Sequence, residues 1–110
     1  MILWSRVGEL RDEVGADDFN EVVDLFLEEV DEVILRLQGN YDRSLLEQDL
    51  HFLKGSALSL GFQAFSDICQ HGERRAAAGG GAQVDIGAVI EVFNLSRAIF
   101  MAGLPEHLAA

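Results

Sequence analysis

The feature that most constrains the fold is the run from Phe19 to Leu37, where Phe19, Val22, Val23, Phe26, Val30, Val33, Ile34 and Leu37 recur at intervals of mostly three and four residues. That period lays one apolar stripe along an α-helix, whereas a strand alternates at two and could not bury it. Asp17 or Asp18 stands where it can cap the helix start. The other face carries Glu21, Asp24, Glu28, Glu29, Asp31 and Glu32. It reads as a solvated surface rather than a metal cluster. A single amphipathic helix cannot hide its own stripe, so the rest of the chain must supply partners.

The same period appears on both sides of that run. Leu3, Val7, Leu10 and Val14 give a short amphipathic helix that Gly15 closes, placed as a lid on one bundle end. Gly39 to Arg43 reads as a turn, and Ser44 with Glu47 has the spacing of a capping box. The helix that starts there puts Leu46, Leu50, Leu53, Ala57 and Leu60 on a core stripe and ends near Ser59 to Gly61, with Gly61 as a left-handed cap. Phe62, Phe65, Ile68, Cys69, Gly72 and Ala76 form the stripe of the next helix, and Ala77 to Ala82 is a flexible loop. Asp85 caps a last helix through Ile86, Val89, Ile90, Phe93, Ile99 and Phe100, expected to stop at Gly103 and Pro105, with Glu106 to Ala110 frayed. No strand alternation or internal repeat is visible. The expected fold is all-α: one domain over residues 1–110, an antiparallel four-helix bundle at about 17–105 with an additional short N-terminal helix at about 1–15.

Charge and cysteine narrow the function. Eight Lys and Arg against nineteen Asp and Glu leave a net charge of −11, which disfavours nucleic acid and anionic membrane surfaces. A single cysteine, Cys69, forms no internal disulfide and reads as a small buried helix residue in a reducing cytosol. No basic segment leads into a long apolar run, and no window reaches the ~18 apolar residues of a membrane span. The expectation is a soluble, cytoplasmic monomer without membrane insertion.

The chemistry concentrates in His51-Phe52-Leu53-Lys54-Gly55-Ser56-Ala57. At helical spacing His51, Lys54, Gly55 and Leu58 share one side, away from the core stripe. An imidazole near neutral pH offers a ring nitrogen with a free lone pair, and a cation follows one turn later. Gly55 costs about 1 kcal/mol in a helix interior relative to Ala, and a usual reason to keep one is the close approach of another backbone or molecule. His71 and His107 lack these companions.

The spacing His-x-x-Lys-Gly, followed by small residues and the later Gly61, resembles the signature of histidine-containing phosphotransfer (HPt) domains. The resemblance is close from His51 to about Arg75 and extends elsewhere only through helix pattern and length. It implies that His51, through Nε2, accepts a phosphoryl group from a receiver-domain aspartyl phosphate and passes it to another receiver aspartate. It assigns Lys54 to balancing charge on the phosphoryl oxygens, Gly55 to a flat approach surface, and Ser56 to polar support. Gln48, Gly55, Ser56 and Leu58 make up the implied receiver-docking surface. Glu73, or Gln70 one turn earlier, is placed to hydrogen-bond the imidazole from behind. The implied partners are response-regulator receiver domains, a hybrid histidine kinase, or both. No cofactor or metal of its own is implied, since the magnesium ion belongs to the receiver, and no autonomous kinase activity is expected.

Three rivals remain. A histidine kinase needs a nucleotide-binding domain and a Gly-rich phosphate loop that this chain lacks. A carboxylate-bridged metal bundle needs Glu-x-x-His pairs, and none of the three histidines has Glu three residues before it. A non-catalytic helical adaptor or dimerisation bundle is the alternative that stays open, and it predicts no phosphorylation at His51.

Overall fold

Five α-helices make up the computed structural model, which describes residues 1–108: α1 (Trp4–Val14), α2 (Phe19–Gln38), α3 (Leu46–Leu60), α4 (Gln63–Ala77) and α5 (Ile86–Leu108). Short 3-10 turns at Arg43–Leu45 and Gly81–Gln83 join α2 to α3 and α4 to α5. α2 packs on α3, α3 on α4, α4 on α5, and α5 back on α2, so the four long helices close a ring. Its interior holds Val23, Val30 and Ile34 of α2, Leu46, Leu50 and Leu53 of α3, Phe65 and Cys69 of α4, and Phe93 and Phe100 of α5. These are the expected stripes, and the helices form because each stripe finds another to cover it. Ile99 is an exception at 39% exposure, and Leu3, the first residue of the expected N-terminal stripe, is another at 44%.

α1 lies on α2 and α3, burying Val7 and Leu10. The segment before it is tied to the α3–α4 turn. Leu3 N–H donates to the Gly61 carbonyl at 2.8 Å, and Gln63 N–H to the Met1 carbonyl at 3.0 Å. Gly61 has φ of 77°, and a β-carbon there would stand 2.7 Å from the Leu3 carbonyl oxygen. Left-handed backbone and close approach both demand glycine.

Several helix ends differ from expectation. Ser44 does not cap α3; the Asp42 carboxylate accepts from Ser44 N–H at 3.0 Å and from its hydroxyl at 2.7 Å, so the chain enters through a 3-10 turn. Asp18 sits at the N-cap of α2 without a side-chain cap bond, while Asp85 does cap α5 by accepting from Ala88 N–H at 3.0 Å. The Gly79–Ala82 loop is pinned rather than free: Arg43 Nη1 donates to the carbonyls of Gly81 at 2.7 Å and Val84 at 3.0 Å.

Gly103 and Pro105 do not stop α5, which runs on to Leu108. Trp4 supplies the reason, since its indole stacks on Phe100 and on His107, the latter at 4.0 Å between ring centroids. Gly103 makes room for it, because a β-carbon there would lie 2.5 Å from Trp4 Cζ2. The expected fraying therefore does not hold for Glu106 and His107, and residues 109–110 lie outside the described residues. Against the expectation of no such window, Ile86–His107 is by length and composition long and apolar enough to cross a membrane. In the bundle it buries Val89, Phe93 and Phe100, and Arg97 reaches Asp31 of α2 at 2.7 and 2.8 Å.

Candidate functional site

Burial of Leu46, Leu50, Leu53, Ala57 and Leu60 fixes the rotation of α3 and therefore which residues it turns outward. His51, Gln48, Gly55 and Leu58 are exposed, with Phe52 beside them at the edge of the same face. Ser56 is not on this surface. At 6% exposure it is buried, because it falls between Leu53 and Leu60 on the inward side, so it does not line the implied docking surface.

The His51 side chain is 69% exposed, and its Nδ1 lies 2.8 Å from Oε2 of Glu73 on α4. The other carboxylate oxygen, Oε1, is 2.6 Å from Lys54 Nζ. Glu73 is thus the residue that meets the ring, while Gln70 one turn earlier is half-buried. The Lys54 ammonium, foremost, and the His51 hydrogen bond hold the Glu73 carboxyl below its usual range, against an opposing push from burial. An ionised carboxylate only accepts hydrogen bonds, so Nδ1 carries the proton and donates. In the neutral ring the lone pair then sits on Nε2. Lys54 is only 24% exposed at its side chain, since it reaches along the α3–α4 seam to Glu73 instead of standing free beside His51.

Gly55 and Gly72 separate two reasons for a glycine inside a helix. A β-carbon at Gly72 would meet Leu50 Cδ1 at 2.7 Å, so close helix packing accounts for it. A β-carbon at Gly55 would meet nothing within 4 Å. Among the described residues no neighbour requires that glycine, and the space over it is open.

A family model described as the Hpt domain matches residues 21–99. The chain belongs to the Hpt domain family. No curated protein and no solved structure gives a significant match to it. As an Hpt domain it is a helical bundle of two-component phosphorelays, a family that carries out histidine phosphotransfer and interacts with receiver domains and histidine kinases.

Beneath the exposed face of this Hpt domain lies a network that sequence reasoning missed. Asp49, two residues before His51, is buried; its carboxylate takes hydrogen bonds from Arg36 Nη2 at 2.8 Å and Tyr41 Oη at 2.6 Å. Burial first, then the Asp49 hydrogen bond, pushes the Tyr41 phenol well above its usual range. The three residues come from α2, the turn and α3, so only the register between the two helices reveals them. Cys69 sits in the core as expected, and burial, reinforced by the Glu73 charge, pushes its thiol up to about 12, leaving it unreactive. Among the described residues no three His, Cys, Asp or Glu side chains gather closely enough to hold a metal ion.

Proposed function

We propose that this Hpt domain is a phosphorelay carrier in which His51 Nε2 takes a phosphoryl group from the aspartyl phosphate of one receiver and delivers it to the aspartate of another. The observation that carries the reading is the His51 ring, 69% exposed at its side chain and held at Nδ1 by Glu73 at 2.8 Å. In the forward step the Nε2 lone pair forms the N–P bond while the P–O bond to the aspartyl carboxylate breaks, and the carboxylate leaves with the electron pair. The product is an N-phosphorylated imidazolium whose Nδ1–H still points at the Glu73 carboxylate. No proton has to move, and the positive charge forms beside an anion already in place. On delivery the acceptor carboxylate attacks phosphorus, the N–P bond breaks, and its electrons return to Nε2.

Lys54 balances Glu73 in the resting state and the phosphoryl oxygens in the loaded one. Gly55, Gln48 and Leu58, with Phe52 at their edge, form the surface on which the receiver settles, and the bare glycine lets its aspartate reach attack distance of Nε2. The partners are receiver domains, a hybrid kinase or both. The receiver brings the magnesium ion, and the domain acts as a cytoplasmic monomer without kinase activity of its own.

The test is to mix the protein with a panel of receivers carrying labelled aspartyl phosphate. Alkali-stable label should appear on the wild type and not on His51→Gln. Label retained by His51→Gln, or none on the wild type from any receiver, would overturn the assignment and leave the adaptor reading.

A further inference from the structure

In the ring of helices the α2–α5 seam lies opposite the α3–α4 seam that carries His51 and Glu73. α2 and α5 meet less tightly than α3 and α4, and a groove of about 420 Å³ opens between them. Leu27 forms its floor, Leu35 and Met101 its walls, and Asp24, Glu28 and Glu32 its rim. Leu35 is 67% exposed and Met101 51%, so two large apolar side chains face solvent beside one cleft. Three apolar side chains meet five charged ones in this cleft, a mixture suited to a partner that is itself amphipathic. The cross-seam pair of Arg97 and Asp31, at 2.7 Å, holds the walls in place. Among the described residues Asp24, Glu28 and Glu32 take part in no ion pair, so the rim keeps its negative charge.

We propose that this groove docks a cationic amphipathic helix of a partner protein. Its apolar edge lies on Leu35 and Met101, as helices commonly fill hydrophobic grooves, and its Lys or Arg residues meet Asp24, Glu28 and Glu32. Charge selects this occupant over a second copy of the chain, which would bring its own net charge of −11 against an acidic wall. The groove lies across the bundle from His51, so the helix and a receiver bind together. An Hpt domain held in this way is tethered beside its partner without losing its transfer face, which raises the effective concentration of one for the other.

The experiment uses two synthetic peptides of equal length and charge, a Leu/Lys peptide with an amphipathic helical pattern and a Ser/Lys peptide without the apolar edge. Amide NMR shifts of the full chain are followed during titration. The Leu/Lys peptide should shift signals around Leu35 and Met101, and affinity should fall at least about tenfold in a Leu35→Gln, Met101→Gln variant and in Glu28→Lys. Asp67→Lys makes the same charge change on α4 and should alter affinity little. Circular dichroism confirms that each variant is folded. Equal binding of the Ser/Lys peptide, equal weakening by Asp67→Lys, or shifts confined to the His51 face would each overturn the proposal.

Discussion

Glu73 has one oxygen on Lys54 and the other on His51, and both contacts favour its ionised form. Its carboxyl therefore titrates below the ordinary 4.5, so the stability it contributes is fully present above that value and is lost as pH falls through the lower, folded one. Glu73→Gln should melt below the wild type near neutral pH, and the difference should shrink in acid; a difference that stays constant into acid would refute the linkage. Glu73→Ala also frees the ring, and a misplacement of ~1 Å is enough to slow phosphotransfer about 100-fold. Gly55 makes a second case. With open space over it, Gly55→Ala should stabilise the fold by about 0.4–1 kcal/mol, whereas Gly55→Gln should stay folded and transfer about 100-fold more slowly, as melts and label transfer will show. The shared side of His51, Gly55 and Leu58 was legible because spacing within one helix fixes it. The choice between Glu73 and Gln70 was not, because it depends on how α4 is rotated against α3.

Between elements the contacts are longer in sequence and less legible. The stripes named all five helices because burial requires a period of about 3.6 residues whatever the partner. Helix ends went differently, since a cap depends on local hydrogen-bond competition: Asp42 takes the Ser44 hydroxyl that a capping box would have aimed at the helix. The Asp49 network shows the same limit at the α2–α3 join, where Arg36, Tyr41 and Asp49 meet only once the helices are in register. Asp49→Ala leaves the half-buried Tyr41 hydroxyl without its acceptor and should cost about 1–3 kcal/mol in a denaturant melt. The raised Tyr41 phenol adds a signature in alkali. Its contribution is complete below the ordinary value of 10.0 and is lost as pH rises toward the folded value, so Tyr41→Phe should flatten the fall in melting temperature above that point. An equal alkaline fall in both proteins would remove this account of the Tyr41–Asp49 hydrogen bond.

At the scale of the whole molecule, the lid helix closes the bundle by joining its first turn to the last turns of the chain. Trp4 lies against Phe100 and His107 with near-parallel rings, 3° and 7° from coplanar, and over a glycine of α5. Gly103 and Pro105 look like a stop signal, since both disfavour a helix interior. What sustains α5 past them is this contact across the full sequence, which no local pattern encodes. Gly103→Ala places two effects in opposition. Alanine gains about 1 kcal/mol of helix propensity, but its β-carbon would stand 2.5 and 2.8 Å from Trp4 ring atoms, and overpacking of that kind costs about 1–3 kcal/mol. The indole cannot yield without losing its stack on His107, so the overpacking should win. Trp4 is the only tryptophan, which makes its emission a direct report of the clasp. The variant should show red-shifted emission and a lower melting temperature, while phosphotransfer at His51, which touches none of these residues, proceeds at the wild-type rate. Unchanged emission with a raised melting temperature would mean that Gly103 is only a tolerated helix residue and that Trp4 is not what holds the lid to the bundle.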